Sequence, residues 1–124
     1  MRILIQRVTR ARVVVDGRAT GSIGRGFLAL VGVTHTDTRA EARKLAAKTA
    51  RLRVFDDAAG LMNLALGDVD GQVLAVSQFT LYGDTRRGNR PSVTAAAPPE
   101  QGERVYEDYV AALREAGVTV ATGV

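Results

Sequence analysis

A mixed α/β fold of the α+β type, formed as one domain over residues 1–124, is what this sequence predicts. Three observations carry the prediction. Short alternating or β-branched apolar runs recur along the chain and are cut by Gly, Asp and Asn turn residues, the mark of strands. Two stretches instead carry helical spacing, each with its own start signal. Hydrophobic residues make up 46% and charged residues 24% of 124 positions, enough for one real core and too short for two.

Arg2 to Val8 alternates, with Ile3 and Ile5 on one face and Leu4, Gln6 and Val8 on the other, and predicts a strand. Arg12 to Val15 is a second strand, closed by Asp16-Gly17, a two-residue hairpin signal, with Ala19 to Ile23 as the returning arm. After Gly24-Arg25-Gly26, Phe27 to Val33 is almost continuously apolar and is the best candidate for a central strand. Thr38 and Glu41 stand at capping-box spacing: the Thr38 hydroxyl can accept from the amide three residues on, while Glu41 reaches back. Ala42, Leu45, Ala46, Thr49 and Leu52 then fall along one helical face.

Arg53 to Phe55 predicts a short strand closed by a turn over 56–60, and Leu61 to Leu64 another extended piece. An Asp70-Gly71 turn leads into Val73 to Leu81, the stretch around which the chain is organised. It begins as a buried strand and ends with three polar side chains, Ser77, Gln78 and Thr80. Buried without partners, each would cost roughly 1–3 kcal/mol, so they pair with nearby backbone or hold something polar. Tyr82 to Ser92 is a loop rich in glycine and arginine. Pro98-Pro99-Glu100 opens the second helix, Tyr106, Tyr109 and Leu113 give it an apolar face, and Gly117 ends it. Val118 to Ala121 begins one more strand.

Composition removes several chemistries. There is no cysteine, hence no disulfide framework and no thiolate nucleophile or metal ligand, and with a single histidine a zinc site is not expected. That histidine, His35, lies in a polar turn and reads as solvated. Ser77 and Thr80 are candidate nucleophiles, yet no carboxylate or lysine stands near them in sequence to act as base. The glycine-rich Gly21 to Gly26 precedes a strand and not a helix, so it reads as a turn and not as a phosphate cradle. No apolar run approaches the ~20 residues a membrane-spanning helix needs, and the N-terminus lacks a signal-peptide core, so a soluble, cytoplasmic protein without cofactor is expected. A formal charge of +4 leans toward an anionic partner. What remains for chemistry is backbone: amides at the polar end of a strand can face a developing oxyanion. Arg86, Arg87 and Arg90 beside it are candidate phosphate holders, or simply surface arginines of a solvated loop.

Ser77-Gln78-Phe79-Thr80-Leu81 resembles the SQFTL signature of the D-aminoacyl-tRNA deacylases. Leu4 to Ala11, Gly21 to Gly26, Met62-Asn63-Leu64 and Gly88-Asn89-Arg90-Pro91-Ser92 are similar to further segments of that family, in the expected order and spacing, so the resemblance covers essentially the whole chain. It implies a mostly antiparallel, barrel-like core with two flanking helices. It also implies an enzyme that hydrolyses the ester between a D-amino acid and tRNA, with mischarged glycine as a second substrate. A homodimer with active sites at the subunit interface is implied as well. In the family no side-chain nucleophile is used. Main-chain amides around Phe79 and Thr80 would bind the substrate and its oxyanion, and the 2′-hydroxyl of the terminal adenosine would help activate water. Ser77 and Thr80 become pocket walls, Gln78 and Phe79 shape the adenosine pocket, Met62, Asn63 and Ala97 line it, and Arg7 supports its architecture.

The resemblance has one departure. The family's second signature, an asparagine-x-glycine-proline-valine-threonine segment, does not occur within the 124 residues. In the family its Gly-cisPro peptide enters the partner's pocket and excludes L-amino acids by steric clash. Gly88 and Pro91 are no substitute, being non-adjacent and in another loop. The last residues read as the start of an unfinished strand, so the expectation is a chain cut short of that segment. A non-catalytic tRNA- or nucleic-acid-binding module of the same fold is the second expectation.

Overall fold

The computed structural model describes residues 1–123. A four-stranded sheet forms its centre, in the order β1 (Arg2–Val8), β4 (Gly26–Gly32), β7 (Gln72–Ser77) and β8 (Thr119–Thr122). Between β1 and β4 runs the hairpin β2 (Ala11–Val15) and β3 (Arg18–Ile23), and β5 (Phe55–Asp56) with β6 (Met62–Leu64) makes a second small ribbon. The helices are α1 (Arg39–Arg51) and α2 (Pro99–Glu115).

The mixed α/β class with two helices is the one expected. The pairs β1–β4, β2–β3 and β5–β6 are antiparallel, while β4–β7 and β7–β8 are parallel. The parallel pairs have a topological cause: α1 lies in the connection from β4 to β7 and α2 in that from β7 to β8, and a parallel partner can be reached only through such a crossover. Being flanked on both sides, β4 and β7 are apolar almost without interruption, as the Phe27–Val33 run predicts.

Side-chain alternation along β7 separates two packed faces. Val73 and Ala75 join Phe27, Val31, Ala42, Ala46, Val105 and Tyr109 in the core under the two helices. Leu74, fully buried, faces the β2–β3 hairpin instead, and β3 packs on β7 and β8 so that strands cover the sheet's second face. The hairpin turn is the one its sequence predicts: Asp16 and Gly17 take φ of 50° and 77°, the left-handed pair that a tight two-residue loop requires.

Helix α1 starts at Thr38, whose backbone N–H donates to the Glu41 carboxylate at 2.7 Å. The capping box that the spacing predicts is formed, and the Thr38 hydroxyl also accepts from the Ala40 N–H at 3.3 Å. Between the helices, Thr49 Oγ1 donates to the Leu45 carbonyl at 2.8 Å and takes the Tyr109 hydroxyl at 2.9 Å, while Tyr106 donates to the Ala75 carbonyl of β7 at 2.8 Å. Among the described residues no buried side-chain polar atom is left without a partner. No helix among them is long and apolar enough to cross a membrane.

Candidate active site

Strand β7 ends at Ser77, and Gln78 is the last residue tied to the sheet, its N–H donating to the Val31 carbonyl of β4 at 2.8 Å. The chain then tightens into a 3-10 turn over Phe79–Tyr82. Amides that open a helical turn have no acceptor within it, and those of Phe79 and Thr80 find none elsewhere among the described residues. Next along, Leu81 N–H returns to the Gln78 carbonyl at 3.3 Å and Gly83 N–H to Thr80 at 2.9 Å. The free donors therefore lie one step past the strand, in a turn, where sequence alone placed them on the strand's own tip. The Thr80 hydroxyl accepts from Gln78 Nε2 at 2.7 Å, and the Phe79 ring is 61% exposed.

A cavity of about 470 Å³ opens beside this turn, lined among others by Val31, Val33, Ser77, Phe79, Ala97 and Glu103. Its far wall is held by a set of cross-links. Ala97 N–H donates to the Val33 carbonyl at 2.9 Å, His35 Nε2 to the Thr94 carbonyl at 2.7 Å, and the Thr34 hydroxyl to the Ala95 carbonyl. From α2, Gln101 Nε2 reaches the carbonyls of His35 at 2.8 Å and Asp37 at 3.1 Å. Asp37, 6% exposed, receives the Thr34 N–H at 2.8 Å and pairs with the Met1 ammonium at 2.6 Å. His35 is exposed, as the sequence reading has it, and its ring also ties the segment at Thr94.

Of the residues singled out by sequence, Ser77, Phe79 and Ala97 meet at the cavity, with Gln78 and Thr80 in the turn beside it. Arg7, Met62 and Asn63 gather elsewhere, around the β5–β6 ribbon. Arg7 donates to the Val54 carbonyl at 2.6 Å and stands 3.7 Å from Asp56; Asn63 bonds Arg53 and Asp57; Met62 is 61% exposed. In the loop, Arg86 is gripped by Asp84 (Nη2 to Oδ2 2.6 Å), and the Arg86 hydrogen bonds hold the Asp84 carboxyl below the usual carboxylate range. Arg87 and Arg90 are exposed, with no side-chain partner among the described residues.

Glu103 is a charged lining residue that sequence reasoning missed; it follows Pro99 by one helical turn, at the end of α2 that abuts the wall. Among the described residues neither Ser77 nor Thr80 is hydrogen-bonded to a histidine or carboxylate, so no activated side-chain nucleophile is assembled among them. A mostly apolar cavity that Phe79 lines, next to a turn with two N–H donors unspent among the described residues, suits an acyl group whose carbonyl oxygen gains charge during reaction.

Fold and site together define a class: a small mixed-sheet domain with a cavity beside the turn that ends a central parallel strand. The chain belongs to the D-Tyr-tRNA(Tyr) deacylase family, whose model matches residues 4–124. It is 55% identical to a D-aminoacyl-tRNA deacylase of Lacticaseibacillus casei over 123 residues, which is 99% of this chain and 83% of that protein. To the D-aminoacyl-tRNA deacylase of Anaeromyxobacter dehalogenans it is 56% identical over 124 residues, 100% of this chain and 83% of the relative. Among solved structures, that of the c-Myc DNA Unwinding Element Binding Protein matches with a TM-score of 0.89 at 35% identity, covering 99% of this chain and 85% of the other.

Proposed function

We propose that this chain is an enzyme that hydrolyses the ester of D-aminoacyl-tRNA, and of glycine mischarged on tRNA, to free amino acid and tRNA. The observation that carries the reading is the pair of unpartnered N–H groups at Phe79 and Thr80 beside the cavity, in a member of this family. The ester carbonyl lies over the two amides. Water adds to its carbon, the oxygen takes the negative charge, and each donor is worth about 3 kcal/mol at that point. Collapse breaks the bond to the ribose oxygen, which leaves with a proton as the tRNA hydroxyl. The 2′-hydroxyl of the terminal adenosine relays that proton, accepting one from the attacking water as it hands its own to the departing ribose oxygen, the role that no side chain among the described residues fills.

Ser77 and Ala97 form the wall, and Gln78 and Phe79 shape the adenosine side. A homodimer completes the site: Leu61, Met62 and Phe79, all more than half exposed in the single chain, are apolar groups for a second copy to cover. Through it Met62 and Asn63 line the site and Arg7 braces it. Arg87 and Arg90, with Arg86 once released from Asp84, hold tRNA phosphates. The compartment is the cytoplasm, where charged tRNA is used.

The test is release of labelled D-amino acid from D-aminoacyl-tRNA by the purified chain. Absence of release while a relative succeeds under the same conditions overturns the proposal. A second reading, a nucleic-acid-binding module without turnover, draws on the name of the DNA Unwinding Element Binding Protein among its structural neighbours. Replacing Arg86 and Arg87 together and following binding against salt separates the two: binding without hydrolysis at any ionic strength favours the module.

A further inference from the structure

A dense run of positive charge lies on α1, away from the candidate site. Arg39, Arg43, Lys44, Lys48, Arg51 and Arg53 fall on α1 and the two residues after it, against one acid, Glu41, which is spent on the helix cap. Of the chain's 17 basic and 13 acidic residues, 11 and 12 remain elsewhere and nearly cancel. Residues 39–53 therefore carry a local charge of +5, as dense as any stretch of that length in the chain, while Arg2 to Arg25 form a second basic region.

The helix's own stability does not explain the pattern. Lys48 and Arg51 in the last turn suit the helix dipole, but Arg39 and Arg43 lie in the first half, where a cation is disfavoured. Arg39/Arg43, Lys44/Lys48 and Lys48/Arg51 are like-charge neighbours three or four residues apart, each mildly destabilising. No ion pair within the described residues relieves any of the six. At ~100° per residue, Lys44, Lys48 and Arg51 cluster within about 60° of one another, opposite the buried Ala42, Ala46 and Thr49. With Leu52 and Arg53 they line a shallow hollow of about 390 Å³. Arg51 is braced by its Nε donating to the Ala47 carbonyl at 3.2 Å, and Arg53 by Asn63.

We infer that this face of α1 is a docking surface for a phosphodiester backbone, the duplex stem of the tRNA whose charged end occupies the cavity. The inference rests on the proposed substrate for its RNA partner, and it assigns the stem to α1 in addition to the arginine loop. Unpaired cations arranged along one exposed stripe match the regular phosphate spacing of a helix flank. Glu41 is the one acid on this face; it stands at the stripe's N-terminal end with its carboxylate held at the cap by Thr38, and no acid lies among Lys44, Lys48 and Arg51.

The test measures binding of uncharged tRNA to the full chain by fluorescence anisotropy across a salt series, for wild type and for K44Q/K48Q/R51Q. The expected result is a log K versus log salt slope shallower by roughly 2 to 3 units for the variant, with a K44R/K48R control behaving as wild type. In parallel, hydrolysis of a D-aminoacyl adenosine, which has no stem, is unchanged in the triple variant, while KM for D-aminoacyl-tRNA rises and kcat does not. An unchanged slope, no tRNA binding by wild type, or equal losses on the stemless substrate each overturns the inference. Wild type that binds tRNA with the expected slope but cleaves neither ester leaves the α1 surface standing and removes the deacylase reading alone.

Discussion

Thr80 is the residue at which two chemistries part. Its hydroxyl is already an acceptor for Gln78 Nε2 at 2.7 Å and has no base bonded to it among the described residues, whereas its N–H finds no acceptor among them. If the amide does the work, Thr80→Val keeps the backbone donor and the β-branched shape and should retain kcat within a few-fold. A loss of about 10³-fold, measured under saturating D-aminoacyl-tRNA, would instead mark the hydroxyl as nucleophile. The residues Ser77, Gln78, Phe79 and Thr80 were legible in sequence because polar side chains ending an apolar run need an explanation. Glu103 and Asp37 were not, because an acid near a helix start or in a loop is ordinary, and only packing shows that one borders a cavity and the other receives the chain's own ammonium.

At the level of elements, the turn that carries the amides is positioned by close approach to β4. A Cβ placed on Gly32 would lie 2.9 Å from Leu81 Cβ and 3.2 Å from the Tyr82 ring, so no side chain fits between strand and turn. Gly32→Ala should push the Phe79–Tyr82 turn off the sheet, lowering stability by about 1–3 kcal/mol. It should lower kcat more than the stability change explains at temperatures where the variant stays folded, as measured by activity and denaturation side by side. Thr38→Ala tests a different element: losing the α1 cap should cost about 1 kcal/mol with kcat unchanged, read from denaturant midpoints. Element types and most boundaries could be read from periodicity and caps, Phe27–Val33 and Pro99–Gly117 most plainly. Sequence missed the 3-10 turns at Leu66–Val69 and Phe79–Tyr82, since a four-residue piece has no period to detect, and the parallel pairings, since these depend on where the helical crossovers land.

For the whole molecule, the core sets a pH window whose alkaline edge is unusual in its origin. Burial pushes the phenols of Tyr106 and Tyr109 up to about 12, and both hydroxyls donate inside the protein, to the Ala75 carbonyl and to Thr49. A Tyr raised above its unfolded value near 10 contributes stability that is complete below that value and disappears as pH climbs through the folded one. At the acid side, hydrogen bonds from Thr38 hold Glu41, and the Leu61 amide holds Asp57, below the usual carboxylate range. Their contribution is present above that range and fades as pH falls through the lowered values, and it is small because both groups are exposed. Denaturant midpoints should therefore be flat from about pH 5 to 10 and drop steeply between about 10 and 12. Y106F/Y109F should start lower at neutral pH, having lost two buried hydrogen bonds, yet show a shallower alkaline decline. An equally steep decline in that double variant would place the alkaline edge outside the α1–α2–β7 core.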